Sequence, residues 1–140
     1  MKMIKNYKGL KNSIKTVCIT SLLIIAVSSN VFGQEDKTNM LFNTWYLDTY
    51  KIEGTEYPPN KKEKDDYILF KEDMTFISKS EGKEEEGTYI LNINGAYVVM
   101  SDKYDENIKA YIISISKNSL ILKYDINEIM DVEVHYYKPI

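Results

Sequence analysis

From Thr44 to the C-terminus the chain alternates apolar and polar positions in short runs rich in Tyr, Ile, Val, Phe and Thr, separated by turn residues. In the first run Trp45, Leu47 and Thr49 fall on one face and Tyr46, Asp48 and Tyr50 on the other. In the last, Val132, Val134 and Tyr136 oppose Asp131, Glu133, His135 and Tyr137. A period of two with one polar face marks a strand in a sheet that meets solvent on one side. In a third run Tyr111, Ile113 and Ile115 oppose Ala110, Ile112 and Ser114, so both faces are largely apolar. The pattern predicts eight strands, near residues 44–52, 66–71, 74–80, 87–93, 96–101, 108–116, 119–125 and 131–138. Met40–Asn43 and Ile126–Met130 read as short helical turns.

The connections fit antiparallel neighbours. Lys71–Met74, Asn94-Gly95 and Ser116–Ser119 are turn candidates, the second offering residues that tolerate positive φ. No gap has room for the crossover helix that a parallel pair requires. The one long connection, residues 53–65, carries two prolines and many charges and reads as an exposed loop. The expected fold is therefore all-β: an eight-stranded antiparallel up-and-down barrel, which leaves no free sheet edge. Its competitor is a two-sheet sandwich. In the immunoglobulin version of that fold a Trp on the third strand packs beside a disulfide, whereas the single Trp here lies on the first strand.

Charge divides the chain in two. Residues 1–33 hold five lysines and no acid, whereas residues 34–140 hold 13 lysines against 21 carboxylates, a balance of −8. The head has a Lys-rich lead, a 17-residue uncharged stretch from Thr16 to Phe32, and a Val31-Phe32-Gly33 exit. These are the parts of a secretory signal peptide, and the apolar core is short for a membrane span of about 20 residues. The expected organisation is a signal peptide over 1–33, a flexible leader over 34–39 and a β-barrel domain over 40–140. The expected location is the periplasm or the exterior, without stable membrane insertion once the signal is cut. Cys18 stands at the start of the apolar stretch, not at its end, so it does not fit a lipid-modified N-terminus. Cleavage before Gln34 leaves 107 residues and no cysteine, enough chain to build a core without disulfides.

Several segments carry a resemblance. Leu41-Phe42-Asn43-Thr44-Trp45-Tyr46-Leu47 resembles the Leu-x-Gly-x-Trp opening of lipocalin-like domains in exported bacterial proteins. Ile68–Phe76 resembles their apolar-x-Phe-x-x-Asp-Gly-Thr-Phe hairpin, and Gly87-Thr88-Tyr89 their next strand. Ser119–Leu122 and His135–Lys138 resemble the closing hairpin. The resemblance implies a small barrel that binds a small apolar molecule. Two glycines of the pattern are replaced, by Asn43 and by Met74; Asn tolerates the left-handed region and Met does not. The arginine that packs across the Trp ring in lipocalins is missing, since the chain has no Arg, and Lys138 is the nearest substitute.

For ligand contact the residues singled out are Leu47, Phe70, Phe76, Tyr89, Tyr111 and Ile113, while Trp45 is expected to close one end of the barrel. His135 is the only imidazole, and its parity with Glu133 points it outward. Glu84–Glu86 is read as a solubilising hairpin tip and Asp102–Asn107 as a solvated loop, with no metal site. The acidic balance excludes nucleic acid, and no phosphate loop or nucleophile motif is present. The expected function is non-enzymatic and cofactor-free: binding of an apolar or weakly cationic small molecule. The alternative is a protein-interaction module of the cell envelope with a filled barrel and an exposed patch including Tyr46, Tyr50 and Tyr137.

Overall fold

A computed structural model describes residues 37–126 and 131–140. The expected signal peptide, Cys18, the expected cleavage point before Gln34 and most of the expected turn at Ile126–Met130 lie outside the described residues. Among the described residues nine strands form: β1 (Thr44–Ile52), β2 (Thr55–Tyr57), β3 (Tyr67–Phe70), β4 (Thr75–Ser80), β5 (Lys83–Asn92), β6 (Tyr97–Ser101), β7 (Asn107–Ile115), β8 (Ser119–Tyr124) and β9 (Val132–Tyr137). From β3 to β9 each strand pairs antiparallel with the next, and β1 pairs with both β3 and β9. The result is a closed eight-stranded barrel with β2 as an appendage on β1, and not a sandwich. Closure removes the long free edges on which other chains could pair.

Three expectations are corrected. The segment 53–65 is not all loop: Glu53 and Gly54, both at positive φ (49° and 80°), turn the chain back so that β2 pairs with β1. Two consecutive positive φ values define the tight turn that matches strand twist. The same device, Glu81-Gly82 (φ 48° and 84°), joins β4 to β5. Glu84–Glu86 is therefore not a hairpin tip but part of β5, with Lys79 opposite Glu84 and the Tyr67 hydroxyl donating to Glu84 at 2.7 Å. At Asn94-Gly95 neither residue takes the left-handed conformation; Ala96 does (φ 50°).

Met74 occupies the left-handed region (φ 64°) despite its side chain. Its turn is held from two sides. Asp73 accepts hydrogen bonds from the Thr75 N–H and hydroxyl, which hold its carboxyl below the usual range. The Tyr89 hydroxyl donates to Lys71 O at 2.7 Å and the Tyr89 N–H to Met74 O at 2.9 Å. Asn43 needs no positive φ: its side chain donates to Met40 O, capping a helical turn over residues 37–41.

That turn plugs one end of the barrel. Leu41 is fully buried, and its carbonyl accepts the indole N–H of fully buried Trp45 at 3.0 Å. Phe70, Tyr89, Val98, Ala110, Leu120 and Leu122 complete the filling, with Phe70 and Tyr89 edge to face at 5.0 Å. Such interdigitation gives interior-like density and the largest share of apolar burial. Among the described residues no lysine lies over the Trp45 ring, and Lys138 instead gives its backbone N–H to Asn118 O.

Candidate functional site

Above this plug the barrel is hollow. A cavity of about 630 Å³ opens at the end formed by the segments after β2, β4, β6 and β8. Its apolar wall includes Leu47, Ile68, Phe76, Met100, Ile108 and Val134. The space exists because inward positions on β4 are small: Ser78 and Ser80 stand where the lower half has Phe70, Tyr89 and Leu120. Gly87 contributes from below. A Cβ there would lie 2.6 Å from the Phe76 ring and 2.1 Å from Ser101 O, so only glycine lets Phe76 lie flat against β5.

Two bulges decide which residues face the cavity. On β1, Leu47 pairs with Tyr136, but the next pair is Thr49 with His135. The skipped residue inverts the alternation beyond it, so Tyr50 joins Leu47 in the wall, and Thr49 donates to Tyr57 O on the outside. On β7 a shift between Ile112 and Ser114 keeps Ile112 and Ile115 against the core.

The residues singled out from the sequence separate accordingly. Leu47 and Phe76 line the cavity. Phe70 and Tyr89 are inside the barrel but belong to the filled half. Tyr111 and Ile113 do not face the interior; on that strand Ala110 and Ile112 do. Tyr111 packs outside against Tyr97, with the Lys109 ammonium 4.6 Å and 4.2 Å from the two ring centres. Ile113 is half exposed. Of the proposed outer patch, Tyr46 and Tyr137 adjoin at 6.0 Å, with Tyr67 completing the row at 5.9 Å, while Tyr50 has turned inward. His135 pairs with Glu133 at 3.3 Å, as their shared parity requires.

Sequence reasoning missed the polar part of the cavity. Tyr124 and Tyr136 line it with their hydroxyls 2.8 Å apart, and desolvation pushes Tyr124 up to about 12 and Tyr136 well above its ordinary value. Tyr50 is likewise pushed up to about 12, first by burial and then by Glu63 and Asp66. Asp66 is the one buried charged residue among those described, and burial holds its carboxyl above the usual range. Its Oδ1 accepts the Glu81 N–H at 2.9 Å, fastening the start of β3 to the β4–β5 turn. A signal was present: Asp66 shares the parity of Ile68 and Phe70, placing an acid on the inward face. The acidic loop 102–106 is organised by itself, with Asp102 accepting the N–H groups of Tyr104 and Glu106.

The match to a family model agrees with this architecture. The family model described as a lipocalin-like domain matches residues 41–122. Among solved structures, a protein from Bacteroides uniformis ATCC 8492 is 19% identical with a TM-score of 0.47, covering 71% of this chain and 91% of that one. A deswapped triple mutant of bovine odorant binding protein is 13% identical with a TM-score of 0.45, covering 72% and 75%. No curated protein sequence matches. Matched by the family model over more than half its length, the chain belongs to the lipocalin-like domain family.

Proposed function

We propose that this protein binds a small, mainly apolar molecule in the open half of its barrel, without catalysis, and does so after export to the periplasm or exterior. The observation that carries the reading is the cavity of about 630 Å³ with its apolar wall. That volume lies within the roughly 300–1,000 Å³ of small-molecule sites, which combine an apolar lining with a few placed polar groups. The alternative, an interaction module with a filled barrel, lacks its premise, because the upper half is hollow.

Titration with the neutral fluorophore N-phenyl-1-naphthylamine tests the reading. Saturable one-to-one binding is expected, and Ser78→Phe, which places a ring in the void, weakens it at least about tenfold while the β-rich circular dichroism persists. Absence of saturable binding to the folded wild-type protein would overturn it. Export rests on the basic lead, the uncharged stretch and the small-residue exit of residues 1–33. Intact-mass measurement should find a chain beginning at Gln34; a full-length chain in the membrane fraction would contradict cleavage. Among the described residues no helix is long and apolar enough to cross a membrane.

A further inference from the structure

We infer that the molecule taken into this cavity is an amphipathic amine, its ammonium received by the Asp66 carboxylate at the mouth and its apolar body lying among Leu47, Ile68, Phe76 and Met100. The inference rests on the reading of the cavity as a ligand site and adds the charge of what enters it.

Asp66 is only 5% exposed and lines the cavity. A buried carboxylate is costly unless a cation or several donors compensate it. Here the compensation within the chain is one backbone N–H from Glu81 on Oδ1. Neither ion pair, Lys123–Asp131 or His135–Glu133, involves Asp66. No buried side-chain oxygen among the described residues lacks a partner, so Oδ2, which takes no hydrogen bond from the chain, is open to the cavity. The single lysine of the lining, Lys79, acts on Asp66 only through space, beyond ion-pairing distance, and stands opposite Glu84 and Tyr67. Four more carboxylates, Glu85, Asp102, Glu106 and Asp125, also line the cavity. The mouth thus presents five acids against one ammonium. A cleft lined by one sign of charge between low-dielectric walls concentrates ions of the other sign.

The remaining polar surface suits the same guest. Tyr50 and Tyr136 both lie close enough to Asp66 to feel its charge. With Tyr124 they offer hydroxyl oxygens to ammonium protons and ring faces to a cation. A neutral ligand would leave Asp66 as it stands, and an anion would meet the full acidic rim. An ammonium gives Oδ2 a charged donor in place of solvent, and a charge-assisted hydrogen bond in such a setting is stronger than a neutral one.

The test compares three molecules with the same ten-carbon chain: decylammonium, decanol and decanoate, each displacing N-phenyl-1-naphthylamine from the full chain at neutral pH. Decylammonium should displace the probe at a concentration about tenfold or more below that of decanol, with decanoate the weakest. In Asp66→Asn the advantage of decylammonium over decanol should shrink to about twofold or less. The wild-type series decides the matter even where the variant fails to fold. Equal displacement by decylammonium and decanol, or strongest displacement by decanoate, would overturn the amine assignment and leave the apolar cavity standing. Failure of the probe itself to bind would remove both.

Discussion

At the plugged end of the barrel the inward positions carry Trp45, Phe70, Tyr89, Leu120 and Leu122, all buried in one cluster with Leu41. At the other end the same sheet turns Ser78, Ser80, Asp66 and three tyrosines inward around a void. The backbone ladder is continuous between the two halves, so the difference lies in the side chains. One half places volume where the barrel has space and gains apolar burial; the other leaves the space and spends stability on a desolvated carboxylate and phenols. The filled half holds the fold while the hollow half leaves its space open.

The largest expected contrast is between truncations in the two halves. Trp45→Ala removes a fully buried indole and its hydrogen bond to Leu41, and should cost about 3–5 kcal/mol. Leu47→Ala opens onto space that is already empty, so it should cost about 2 kcal/mol, the low end for such changes. Urea unfolding of both variants checks the contrast; equal losses would mean that the upper half is packed like the lower. Gly87→Ala comes next. Its Cβ would press on Phe76 and on Ser101 O, so destabilisation of about 1–3 kcal/mol is expected, with weaker probe binding because Phe76 lines the cavity.

Alkaline titration reads both halves together. Tyr50, Tyr89 and Tyr124 are pushed to about 12 and Tyr136 well above its ordinary value, chiefly by burial. Each folded-state value lies above the unfolded one of about 10. The folded chain therefore keeps protons that the unfolded chain releases, and stability should fall as pH rises above about 10. Absorbance of phenolate near neutral-to-alkaline pH should lag that of free tyrosine and then jump with unfolding; a smooth titration near 10 would show these rings to be solvated.

The smallest effect concerns Asp66. Desolvation raises its carboxyl above the usual range, so the folded chain binds a proton more readily than the unfolded chain. The ionised group thus costs stability, and the cost appears as pH rises through the folded value. Asp66→Asn keeps an acceptor for the Glu81 N–H and should raise Tm slightly at neutral pH, the gain vanishing in acid below the unfolded carboxylate range. A lower Tm at neutral pH would mean that the carboxylate is compensated within the folded chain.

Alternation and turn residues alone placed all eight barrel strands in order, because a closed meander needs only local patterns and short links. Trp45 at the plug was equally legible, since its position in the opening motif fixes its neighbours. Tyr111 and Ile113 were misplaced because both faces of their strand are apolar, and periodicity cannot choose between two apolar faces. Tyr50 was misplaced for a different reason: a bulge at Asp48 adds a residue without any mark in composition. Strand β2 was hidden because its three residues are exposed and precede two prolines, so no buried face betrays it.

The local sequence therefore determined fold class, strand order and the polarity of the surface, all of which follow from short-range alternation and charge. Which half is filled, which tyrosines meet in the cavity and how Asp66 comes to be buried were decided by the tertiary structure. Those properties depend on register between strands far apart in the chain and on the volume left when eight strands close. Neither quantity is carried by any single segment.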